Sequence, residues 1–189
     1  MKHDSAIFWF RQDLRLSDNP GLIAAVNWAA ENQGKVIPVY IWAPDEEGMW
    51  PPGGATKVWL NESLKALAKE IEKHGPRLRI FEANPKNSED KPKQSSLSIL
   101  EAVAEELGAG AVFWNRRYEP AAIARDKEIK STLKAKGLTV ETFNGALLLE
   151  PWQVATKEGK PYQVFTPYWR TCLSQIQVEL EPPLEAPKT

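Results

Sequence analysis

Cysteine and histidine are scarce: Cys172 is the lone thiol and His3 and His74 are the only imidazoles in 189 residues. A single cysteine rules out an internal disulfide and leaves a thiolate metal site without a second ligand, and an intracellular, reducing setting is expected. His3 and His74 lie far apart with no partner at ligand spacing. Both are read as surface residues, and no metal site is expected. Excess charge is also missing, because 24 Lys and Arg against 25 Asp and Glu leave a net charge of −1. The basic footprint of a nucleic-acid grip is therefore absent, and this segment alone is not expected to bind DNA.

Long apolar runs are lacking too. Met1-Lys2-His3-Asp4 leads straight into Ile7-Phe8-Trp9-Phe10 without the apolar region of a signal peptide, and no stretch reaches membrane-spanning length. A soluble, cytoplasmic protein with no membrane partner is the expectation. No glycine-rich phosphate fingerprint follows the first apolar run, where Arg11-Gln12-Asp13-Leu14-Arg15 stands instead. A nucleotide held in the usual dinucleotide-fold manner is thereby disfavoured. No nucleophile, base and orienting acid come together by motif, so hydrolase chemistry has no support and no catalytic residue is assigned.

What is present describes an ordinary folded domain. Hydrophobic residues make up 42% and charged residues 26% of the chain, far from the signature of disorder, and the length suits one domain with a tail. Ala6 to Phe10, Val36 to Trp42, Leu78 to Phe81, Ala111 to Trp114 and Thr139 to Phe143 read as strands. Pro38 must then sit where no ladder donor is needed. Helices are expected from Pro20 to near Gly34, through Leu60, Leu64, Leu67 and Ile71 to Gly75, from Leu97 to Leu107, and from Pro120 to about Lys136. Asn84 to Ser96 reads as a polar loop.

This alternation predicts an α/β fold: a five-stranded, doubly wound parallel sheet of order 3-2-1-4-5 with helices on both faces. Residues 1–150 form the main domain, and 151–178 form a loop and one further helix, Thr166 to Gln177. Residues 179–189, rich in proline, read as a linker or tail that is open to proteolysis. The eight tryptophans include Trp9, Trp42 and Trp114 in strands and Trp28 and Trp59 on helices, where core packing explains them.

In such sheets ligands bind outside the carboxyl ends of the strands, where the winding reverses. The loops at that point are Arg11 to Asp18 and Asn115 to Pro120. They would crowd Arg11, Arg15, Arg116, Arg117 and Arg125 against Asp13, Asp18, Glu119 and Asp126. Two readings stay open from spacing: a pocket for a polar ring system, or charges that pair with one another and cap helices.

One stretch is more specific. Trp9-Phe10-Arg11-Gln12-Asp13-Leu14-Arg15-Leu16-Ser17-Asp18-Asn19-Pro20 resembles the opening signature of the photolyase and cryptochrome family. Matching segments follow at Ile41 to Pro44, Lys57 to Leu64, Asn115 to Pro120, Arg125-Asp126 and Lys160 to Trp169. The stretches Ala43 to Gly48 and Phe143 to Trp152 are similar to plant-type cryptochromes and related bacterial photolyases.

The resemblance implies the N-terminal, antenna-binding α/β domain of a light-driven cyclobutane-dimer (deoxyribodipyrimidine) photolyase. Its partner would be a C-terminal helical domain in cis, or a separate flavin protein, which holds FAD and contacts damaged DNA. The same domain of a blue-light cryptochrome and a stand-alone module are the alternatives. By motif position the antenna site would comprise Arg11, Tyr40, Ile41, Trp42, Glu119 and Arg125, with Thr56 and Lys57 where some members carry an arginine. The chromophore would be a deazaflavin, folate or flavin. Ala121-Ala122 replaces the Asn-Glu pair of folate-type members, which argues against folate held in that manner.

Overall fold

Short apolar runs alternating with helical periodicity produce the order β1 (Ser5–Phe10), α1 (Pro20–Glu31), β2 (Val36–Trp42), α2 (Gly54–Glu72), β3 (Arg79–Glu82), α3 (Ser96–Leu107), β4 (Ala109–Asn115), α4 (Pro120–Ala135), β5 (Thr139–Phe143) and α5 (Phe165–Gln175). The computed structural model describes residues 3–49, 51–83, 94–176 and 182–187. Most of the expected loop at 84–96, part of the expected tail at 179–189, and Gln177 lie outside the described residues. The strands form one parallel sheet in the order β3-β2-β1-β4-β5, as expected.

Alternate residues of each strand face opposite sides, and this sorts the core into two layers. Ile7, Trp9, Val39, Ile41, Val112, Trp114 and Val140 pack with Ile99, Leu100 and Val103 of α3 and with Ile129 and Leu133 of α4. Ala6, Phe8, Phe10, Tyr40, Ala111 and Phe113 pack with Leu22, Ala25 and Ala29 of α1 and with Leu67 and Ile71 of α2. Leu100 and Leu133 are wholly buried, and each such side chain stabilises the fold by about 1.5–3 kcal/mol.

Pro38 fits an interior strand because of where the neighbouring ladder starts. The pairing of β2 with β3 begins at Val39 opposite Arg79. On that side no partner waits for the N–H that Pro38 lacks. Helix α1 starts as its sequence demands, with Pro20 in the first turn and the Asn19 side chain accepting from Leu22 N–H. No helix among the described residues is long and apolar enough to cross a membrane.

One expectation is corrected, and one contact of the described end of the chain is added. Trp59 is not a core residue; it is 77% exposed, because only the second half of α2, at Leu67 and Ile71, reaches the sheet. The described end of the chain, 182–187, does not hang free, since Asp18 N–H donates to the Leu184 carbonyl at 2.7 Å.

Candidate functional site

The signature loop after β1 is built around a buried polar knot. Arg11 N–H donates to Asp13 Oδ1, and the Asn115 amide, at the end of β4, donates to Asp13 Oδ2 at 2.5 Å and to Asn19 Oδ1 at 2.7 Å. Asn115 Oδ1 accepts from Gly21 N–H at 3.1 Å, and Asn19 donates back to the Arg15 carbonyl at 2.9 Å. Both Gly21 and Gly145 lie so close to Asn115 that an added Cβ would come within 2.7 Å of its side chain. Small residues are therefore required there. The Asp, Asn and Gly of this region fix loop shape.

The charged side chains largely pair with one another. Arg11 donates to Asp126 at 2.5 Å and to the Asn115 carbonyl. Arg117 makes a two-pronged contact with Glu47 at 2.7 and 2.6 Å and reaches Glu119 at 2.9 Å. Arg125 binds Asp126 at 3.1 Å, and Arg116 binds Glu150. Arg15 instead donates to the carbonyls of Asp18 and Gly145. Of the two readings of these charges, mutual pairing describes most of them.

A pocket coexists with that pairing. A cleft of about 960 Å³ opens over the carboxyl ends of β1 and β2, walled by α2 and by the Arg117 and Arg125 side chains. Its size lies at the upper end of ordinary small-molecule sites. Trp9, Tyr40, Trp42, Trp59 and Leu60 give it an aromatic and apolar lining. Two buried N–H groups of lining residues, Trp9 Nε1 and Arg11 Nε, have no hydrogen-bond partner. Trp114 Nε1, which lies away from the cleft, is buried without a partner in the same way, so these donors belong to the packed layer beneath the cleft floor.

The Trp9 ring also meets two cations, with the Arg11 and Arg125 guanidinium carbons 5.0 and 5.2 Å from its centroid, and Trp114 lies edge-on at 5.7 Å. Burial lowers the pKa of Arg11, with Asp126 opposing that effect. Burial, followed by the negative charge of Glu47, pushes the Tyr40 hydroxyl up to about 12. Tyr40 thus stays a neutral phenol at the cleft.

Arg11, Tyr40, Ile41, Trp42, Thr56 and Arg125 all line this cleft. Lys57 and Glu119 do not. Lys57 is one residue round the helix from Thr56 and lines a separate groove toward β3. Glu119 faces a smaller crevice of about 540 Å³ between the ends of β1 and β4. Its carboxylate is held by Arg117, which lowers its pKa to about 2, and it also accepts from Gln12 at 3.4 Å. That smaller crevice lies where the winding of the sheet reverses, whereas the larger cleft lies on the β2 side of β1. The α2 wall, Trp59, Ser63 and Leu67, was missed because helical periodicity assigns such positions to packing.

A family model described as DNA photolyase matches residues 6–188. The deoxyribodipyrimidine photo-lyase of Agrobacterium fabrum is 43% identical over 192 residues, covering 100% of this chain and 36% of that protein. Cryptochrome-2 of Arabidopsis thaliana is 36% identical over 186 residues, covering 97% of this chain and 28% of that protein. The crystal structure of a bacterial class III photolyase from Agrobacterium tumefaciens superposes with a TM-score of 0.81 at 42% identity, covering 100% of this chain and 35% of that one. The chain thus spans about a third of the length of the relatives it matches.

Proposed function

The chain belongs to the DNA photolyase family, as its N-terminal domain, and we propose that this domain holds an antenna chromophore for a photolyase whose FAD sits in a C-terminal helical region. The observation that carries the reading is the cleft of about 960 Å³ over the ends of β1 and β2 with its aromatic lining. A deazaflavin, folate or flavin is a planar ring system edged with carbonyl acceptors, which suits both features. When bound, such a chromophore absorbs near-ultraviolet or blue light and passes the excitation through space to the flavin.

The residues of this chain bind and orient. Trp9 and Arg11 form part of the cleft wall, and Tyr40, a neutral phenol, can donate or accept without adding charge. Trp42, Trp59 and Leu60 would cover the ring faces, while Thr56 and Arg125 border the cleft as polar groups. Ala121 and Ala122 carry only methyl side chains, so neither can hydrogen-bond a folate through its side chain. That favours a ring held from the β1, β2 and α2 side of the cleft.

Lesion-bearing DNA would be met through the flavin region, which agrees with the near-neutral charge of this chain. The similarity to Cryptochrome-2 of Arabidopsis supports a second reading, in which the same domain serves a blue-light receptor. The test is retention of chromophore by the purified chain after separate incubation with a deazaflavin, a methenyl folate and FAD. One of them is expected to coelute in stoichiometric amount with a shifted absorption band, and Ser63→Trp, which fills the cleft from α2, is expected to weaken retention at least ~10-fold, the scale of a lost good contact. Failure of all three to coelute, or unchanged binding by Ser63→Trp, would overturn the reading.

A further inference from the structure

We propose that the apolar stripe of α5 is the face on which the flavin-binding helical region docks, an inference that rests on the domain reading above. Helix α5 carries Phe165, Tyr168, Trp169, Cys172 and Leu173 at the spacing of one helical face, and Thr166, Arg170 and Ser174 on the other. In a self-contained domain that stripe would turn inward. Here only Cys172 is buried, while Phe165 is 70%, Tyr168 41%, Trp169 42% and Leu173 47% exposed. The Phe165 and Trp169 rings lie nearly parallel, with centroids 6.2 Å apart and planes at 9°, so the two form one continuous aromatic surface.

Val164, also exposed, extends the patch by one residue. Contiguous apolar surface of this kind marks an interaction site in a globular protein. The occupant follows from two observations. The relatives carry roughly two-thirds of their length outside the region matched here, and that remainder needs a face to pack on. The stripe itself carries no charged side chain, since Arg170 points round the other side of the helix. It therefore fits an apolar helix surface rather than nucleic acid or an acidic peptide.

The test replaces the matching region of the Agrobacterium fabrum deoxyribodipyrimidine photo-lyase with this chain and follows amide hydrogen exchange over residues 165–173, in the chimera and in the chain alone. Docking predicts exchange slowed at least ~10-fold in the flavin-loaded chimera, with Phe165→Ser/Trp169→Ser abolishing that protection. A chimera that holds flavin but leaves α5 unprotected overturns the assignment of this face. One that takes up no flavin overturns the domain reading instead. A measurement on the chain alone stands apart from chimera folding: the double variant should lose most of its binding of a hydrophobic dye while keeping its melting temperature. Unchanged dye binding, or concentration-dependent self-association that buries α5, contradicts the proposal.

Discussion

Replacing Asn115 by alanine should cost far more than its small size suggests. The side chain satisfies three groups at once: it donates to Asp13 and Asn19 and accepts from Gly21 N–H. Asn19 Oδ1 keeps a second donor, Leu22 N–H, so the serious losses fall on two groups. These are an N–H in the first turn of α1 and one oxygen of the Asp13 carboxylate. Each buried polar group left unpaired costs about 1–3 kcal/mol, which places Asn115→Ala at about 2–6 kcal/mol. For a chain of this size that corresponds to a melting-temperature drop of roughly 4–24 °C. Urea unfolding followed by circular dichroism reads the loss directly, and the denaturant slope should stay unchanged. A loss below about 1 kcal/mol would refute the claim that the signature loop is held from β4 by this one amide.

Other expectations concern ionisation. Tyr40, raised to about 12, should be the phenol that ionises last in an ultraviolet titration, and Tyr40→Phe should remove that late step. A group whose folded pKa lies above its unfolded 10.0 stabilises the fold below pH 10 and loses that contribution as pH rises toward 12. Phenolate absorbance rising in full near pH 10 would contradict the burial argument. Glu119, lowered to about 2 by Arg117, has the opposite sign: its contribution is present above pH 4.5 and is lost as pH falls toward 2. Because that carboxylate is half exposed, Glu119→Gln should change stability by less than ~1 kcal/mol at neutral pH. It should also flatten the acid limb between pH 4.5 and 2 in urea midpoints, and an unaltered limb would sink the assignment.

Strand and helix identities were legible because both periodicities are strong here. Val36–Trp42 and Thr139–Phe143 emerge with the bounds expected, while β4 is longer at both ends, Ala109–Asn115, since Gly108 caps α3 immediately before it. The sheet order followed from alternation and right-handed crossovers. The site was legible only in part. Arg11 and Arg125 were already marked by the loops where the winding reverses, whereas Tyr40, Ile41, Trp42 and Thr56 were reached through motif position alone. Periodicity hid Trp59, because a tryptophan on an apolar helix reads as core unless the helix is known to stand away from the sheet. Spacing also cannot reveal which charges meet. Glu47 and Glu150, which hold Arg117 and Arg116, lie outside the two loops that sequence reasoning joined.

The cleft itself is best tested by mapping backbone amide shifts of the isotopically labelled chain during titration with the chromophore that coelutes. The account predicts that perturbed amides gather at Trp9 to Arg11, at Tyr40 to Ala43 and along α2 from Thr56 to Leu67, the walls of the larger cleft. Shifts confined to the β1 and β4 crevice, around Gln12, Asn115 and Gly145, or spread without pattern over the surface, would contradict it.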